Sequence, residues 1–128
     1  MAFDVLHVVP YFYPAWAYGG IPRLVYGLAR QQSRAGARVT VVTTDAWDAR
    51  RRTGGTGWVG ELHGIRVARF PNLSNWLAYR HQLFLPTGAG PFLADHLADH
   101  DVVHLHGHRH LLNNLALRAL RRIDRPLL

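Results

Sequence analysis

The chain opens on a near-continuous apolar run, Phe3 to Val9, interrupted by Asp4 and His7. Such a run is the pattern of a strand buried on both faces of a sheet. A loop rich in aromatic residues and glycine follows, from Pro10 to Gly20. The period then changes. Ile21, Leu24, Val25, Leu28 and Ala29 recur at helical spacing, which predicts one apolar face. Pro22 suits the first turn of that helix and Gly36 its C-terminal cap, with Arg30 and Arg34 near the negative end of the dipole. Arg38 to Thr44 is β-branched and reads as a second strand. Strand, helix and strand with short connections make a right-handed βαβ unit.

Asp45 to Gly60 is polar and rich in arginine and glycine, which predicts a mobile loop. Gly64 leads into a third strand, Ile65 to Phe70, closed by Pro71-Asn72. Leu73 to Leu85 is apolar and aromatic with Arg80 and His81 inside it, and reads as irregular or partly helical. Pro91 is expected to open a short helix ending near His100. Asp101 to His106 is the fourth strand, and Leu111 to Arg122 a helix with Leu112, Leu115, Ala116 and Ala119 on one face. Arg118, Arg121 and Arg122 lie at the end of that helix, and Pro126-Leu127-Leu128 resembles the start of a fifth strand. The expected fold is α/β, a Rossmann-like parallel sheet flanked by helices. A doubly wound sheet normally uses a further strand and helix to cover its edge. Residues 1–128 are therefore expected to be one domain, truncated at its C-terminus and of low stability alone.

Composition narrows the class. The 128 residues suffice for one domain with a real core, and no repeat of solenoid period is present. There is no cysteine, so neither a disulfide framework nor thiolate chemistry can be proposed. No secretory signal is recognisable at the N-terminus. No stretch approaches the ~20 apolar residues of a membrane span. The net charge is +7, and all 15 basic residues are arginine. Such a charge favours phosphate, anionic lipid or nucleic acid as partners. A solvated basic surface explains it equally well.

Two places carry candidate chemistry. Tyr18-Gly19-Gly20 runs into a helix start, where glycines permit close approach and free N–H groups meet a partial positive charge. That arrangement suits a phosphate or diphosphate, and a tight turn into a helix is the plain alternative. It is neither a Walker A loop nor a dinucleotide fingerprint. Asp45, just past the second strand, resembles a ribose-binding acid, but the glycine fingerprint is missing. The second place is His104-Leu-His106-Gly-His108-Arg-His110. His104 and His106 project to one face of a strand, and His106 falls at its C-terminal end, where open α/β sheets hold ligands. A histidine there can hydrogen-bond a sugar hydroxyl or carry a proton near neutral pH. A zinc site is one rival reading. Packing of His104 between sheet and helix is another. The segment from Trp76 to Phe84 reads as core, acceptor-recognition loop or membrane-surface contact.

Val5 to Pro10, Tyr13-Pro14 through Gly19-Gly20-Ile21-Pro22-Arg23, Leu28-Ala29, Gly36 to Thr43, and Asp101 to Gly107 occur in this order. The ordered set resembles the N-terminal domain of family 4 glycosyltransferases, which have the GT-B fold. One departure is Gly36-Ala37-Arg38-Val39, where the family often has Gly-His-Glu-Val. The resemblance implies retaining transfer of a sugar from a nucleotide-diphosphate donor to an acceptor such as a glycan or lipid-linked glycan. It implies that Gly19 and Gly20 face the donor diphosphate, and that His106 is the catalytic histidine near the donor sugar. Acceptor contacts are expected from Tyr18, Arg80 and Gly107. No metal or other cofactor is expected, and no nucleic acid. A C-terminal Rossmann domain with a paired-glutamate motif is the expected partner, without which this half should not catalyse transfer. A cytoplasmic location is expected, with possible attachment to an anionic membrane surface. A non-catalytic module for an anionic small molecule is the alternative.

Overall fold

The computed structural model describes residues 3–107 and 110–121. Among them a five-stranded sheet is covered on both faces by helices. The strands are β1 (Asp4–Val8), β2 (Arg38–Thr44), β3 (Gly57–Leu62), β4 (Ile65–Phe70) and β5 (Val102–Leu105). The helices are α1 (Gly20–Arg34), α2 (Asn75–His81), α3 (Ala89–His96) and α4 (Leu111–Leu120). The strand order is β3-β4-β2-β1-β5. β4, β2, β1 and β5 run parallel, and β3 is antiparallel to β4.

Strand alternation divides the core into two layers. Val39, Val41, Ile65 and Val67 meet Val25 and Ala29 of α1. Leu6, Val8, Val42, Ala68 and Val103 point the other way, to Leu93 of α3 and to Leu112 and Ala116 of α4. All of these side chains are buried. Each valine or leucine so removed from water stabilises the fold by about 1.5–3 kcal/mol. The double burial is why β1 and β2 read as apolar without a polar face.

Several boundaries differ from the sequence expectation. α1 buries Pro22, Val25 and Ala29, whereas Leu24 is 66% exposed. Leu24 lies about 100° around the helix from Val25, off the stripe that faces the sheet. The expected loop from Asp45 to Gly60 ends in ordered structure, because Gly57 to Gly60 belong to β3. That strand carries two glycines, a register shift between Trp58 and Gly60, and almost no buried side chain. An edge strand with so little burial leaves no alternating pattern to read. α3 begins at Ala89, after Gly88 in the left-handed region, so Pro91 falls within its first turn. The partly helical expectation for Leu73 to Leu85 resolves into α2, whose Ser74 side chain caps the Leu77 N–H. α4 spans Leu111–Leu120. Arg122 and the expected fifth strand at residues 126–128 lie outside the described residues. No helix among those described is long and apolar enough to cross a membrane.

Candidate functional site

Parallel pairing sets two chain ends side by side. His7 of β1 is opposite His104 of β5, and Val8 opposite Leu105. The His106 N–H extends this ladder to the Val8 carbonyl at 2.9 Å. The chain therefore leaves the same rim of the sheet twice. After β1 it enters the aromatic loop that ends at Gly19 and Gly20. After β5 it enters the turn at His106 and Gly107.

Gly19 is the N-cap of α1 with φ +100°, in the region that favours glycine, and Gly20 is the first helical residue. A Cβ on either would meet nothing within 4 Å, so both lie on open surface. No side chain caps the helix, and no acid lies in its first turn. The orphan N–H groups and partial positive charge of the helix start are not offset from within.

At the rim, three histidines converge from the two strands. The Nδ1 of His7 is 2.9 Å from the Nε2 of His106, and the Nε2 of His7 is 2.7 Å from the Oε1 of Gln32 on α1. The His104 and His106 ring centroids are 3.9 Å apart. A carbonyl oxygen only accepts, so His7 donates from Nε2 to Gln32 and its Nδ1 accepts from the Nε2–H of His106. His106 is left with its lone pair at Nδ1. Burial, then the neighbouring His104 and His7, push the His106 pKa down to about 3. Burial also lowers His7 and His104. His106 is thus a neutral imidazole near neutral pH. It suits accepting a hydroxyl proton in a hydrogen bond, one of the two roles expected of it. Asn113 of α4 donates to the His106 carbonyl at 3.0 Å and fixes the turn from below.

The other expected site residues fall in different places. Gly107 takes φ +84°, and a Cβ there would come within 2.8 Å of the His110 ring. Tyr18 is half-buried, stacked on Tyr11 and edge-on to Tyr79 of α2. Arg80 is exposed on α2 and is not drawn into the histidine cluster. Asp45 is 3% exposed, paired with Arg52 at 2.7 Å, and accepts from the Asn72 N–H. Its carboxylate is committed to structure and not to a ribose. His108 lies outside the described residues.

Sequence reasoning overlooked His7 and Gln32. The signal was present, since a histidine inside a doubly buried strand demands a partner. Chemically, His7, His104 and His106 present ring nitrogens that all lie within 4.8 Å of one another, a donor set that zinc accepts. A cation would have to displace the His7–His106 hydrogen bond. Zinc at roughly 2 Å from each nitrogen holds tetrahedral ligands roughly 3.3 Å apart, wider than that bond.

A family model described as Glycosyltransferase Family 4 matches residues 18–128, which include Gly19, Gly20, Gln32, His104 and His106. No curated protein matches the chain. The mostly parallel sheet, its helices on both faces and the matched span agree, and the chain belongs to glycosyltransferase family 4.

Proposed function

We propose that this chain is the acceptor-side half of a retaining GT-B enzyme that moves a sugar from a nucleotide-diphosphate sugar to a glycan or lipid-linked glycan. The observation that carries this reading is the shared rim. The uncapped start of α1 at Gly19 and Gly20 and the tip of β5 at His106 leave adjacent parallel strands at one end.

Chemistry follows from that placement. Departure of the nucleotide builds negative charge on the diphosphate, which oriented N–H groups at the start of α1 stabilise. His106 accepts a hydrogen bond from a donor-sugar hydroxyl and holds the ring in place. Tyr18, Arg80 and Gly107 contribute to the acceptor side. A second Rossmann domain supplies most nucleotide contacts, and closure of the two halves excludes water that would hydrolyse the donor. The reaction on this reading uses no metal. The enzyme works in the cytoplasm, at times on an anionic membrane face. The charge of +7 and the exposed Leu73, Trp76 and Leu83 around Arg80 support that last point.

The test is turnover of a panel of nucleotide-diphosphate sugars by the full-length protein, with and without EDTA. Transfer that survives EDTA supports the reading. Donor binding without transfer or hydrolysis points instead to a non-catalytic module for an anionic ligand.

A further inference from the structure

A hollow of about 370 Å³ opens beside the C-terminal half of β4. Tyr13, Trp47, Val59 and Val67 form much of its wall, with Glu61 and Arg69 also lining it. Arg69 is only 7% exposed. Its Nη2 donates to the Tyr13 carbonyl. Its Nη1 is buried and finds no partner among the described residues. Thr43, opposite Arg69 in the β2–β4 register, buries a hydroxyl that likewise has none.

The charge balance is as uneven as the hydrogen bonding. The charge of Asp45 raises the Arg69 pKa against the effect of burial. Its Oδ2 is held by Arg52 at 2.7 Å, and its Oδ1 accepts from the Asn72 N–H at 2.9 Å. Arg52 therefore holds the carboxylate, and Arg69 feels its charge without touching it. Burial lowers the Arg69 pKa to about 10, so the side chain stays charged at neutral pH. A buried cation with an open donor is costly unless an anion completes it.

We propose that this hollow binds a saccharide bearing one oxyanion, a carboxylate or a phosphate, with the Arg69 guanidinium as the donor to that group. A planar guanidinium is suited to both anions. Tyr13 and Trp47 line the hollow beside the sugar body; one face of the Trp47 ring is taken by Arg51 at 4.1 Å, and Tyr13 stacks on Tyr26. Glu61 at the lining accepts from hydroxyls and repels a ligand that is anionic throughout, which selects a single oxyanion on a hydroxylated frame.

β2 and β1 lie between β4 and β5, so three interstrand steps put the hollow roughly 14 Å along the rim from His106. That the ligand is the acceptor rests on the transferase reading above, but its binding does not. The experiment accordingly omits donor. Isothermal titration of the protein with D-glucuronate, D-glucose 1-phosphate and D-glucose reads the site directly. The expected result is saturable binding of at least one anion, about tenfold or more tighter than glucose. Preference between the two anions tells carboxylate from phosphate. Arg69→Met should weaken the anion by about tenfold or more. Val59→Glu places a charge like the ligand's in the wall while keeping the arginine at 69 and should do the same, which decides the matter if Arg69→Met fails to fold. Anions that bind no tighter than glucose, or that bind Val59→Glu as they bind the unaltered protein, overturn the proposal.

Discussion

His7 Nδ1 lies 2.9 Å from His106 Nε2, across two neighbouring parallel strands. Through its other nitrogen, His7 reaches Gln32 of α1 at 2.7 Å. The three groups form a short chain of hydrogen bonds that begins at a helix and ends at the sheet rim. Each member is neutral, and the direction of every proton is set by the one acceptor-only atom, Gln32 Oε1. The rim histidine thereby inherits its tautomer from a residue on a different element.

Nitrogen NMR of the imidazoles should therefore find His106 and His7 both protonated at Nε2. Gln32→Met removes the acceptor at nearly constant volume and should leave a mixture of tautomers. It should also cost about 1 kcal/mol of stability, the worth of one hydrogen bond. Gln32→Glu retains an acceptor and should restore a single form. His106 protonated at Nδ1 in the unaltered protein would contradict the direction of the chain.

Acid should destabilise the fold earlier than its few carboxylates suggest. The His106 pKa is held at about 3, against 6.5 for the free group. Below 6.5 the unfolded chain takes up a proton that the folded one refuses. The contribution is whole above about pH 6.5 and is lost progressively as the pH falls toward 3. For one such group the slope approaches about 1.4 kcal/mol per pH unit inside that window. The lowered His7 and His104 act in the same direction. Urea melts at a series of pH values measure the slope. His106→Gln should flatten it, and an unchanged slope would mean that His106 titrates normally.

Asp45 anchors more than its own loop. Its carboxylate faces Arg52 and the Asn72 N–H, and its charge reaches Arg69. Asp45→Ala leaves the Asn72 N–H without its acceptor and frees Arg52, whose side chain is 38% exposed and screened by water, and should cost about 1–3 kcal/mol. A thermal melt checks this, and a loss below 1 kcal/mol would show that water takes the place of the lost acceptor.

The turn after β5 favours glycine at position 107. Gly107 is held at φ +84°, with the His110 ring 2.8 Å from where a Cβ would sit. Gly107→Ala should lower stability by about 1–3 kcal/mol through backbone strain and the clash. On the proposed reading it should also reduce sugar transfer, because the turn carries His106. Unchanged melting and unchanged rate together would show that the turn relaxes freely.

Much of this fold could be read directly. Pro22 and Gly36 bracket α1 closely, and the β-branched run at Arg38 to Thr44 coincides with β2. Parallel strands in a sheet core write themselves as apolar runs. β3 could not be read, because its side chains face water and its glycines break the alternation. His106 stood out through its place at a strand end. His7 did not, since its partners are 25 and 99 positions away. Arg69 looked like one more arginine among 15. Only packing tells a buried guanidinium from a solvated one.

The bare start of α1 closes one route to a sturdier protein. A serine or aspartate at a helix N-cap usually gains about 1 kcal/mol over alanine but only about a few tenths over glycine. At Gly19 the backbone sits at φ +100°, where such a residue is strained. Engineering this helix for heat tolerance must therefore work on its outer face, at positions such as Leu24, and leave its N-cap alone.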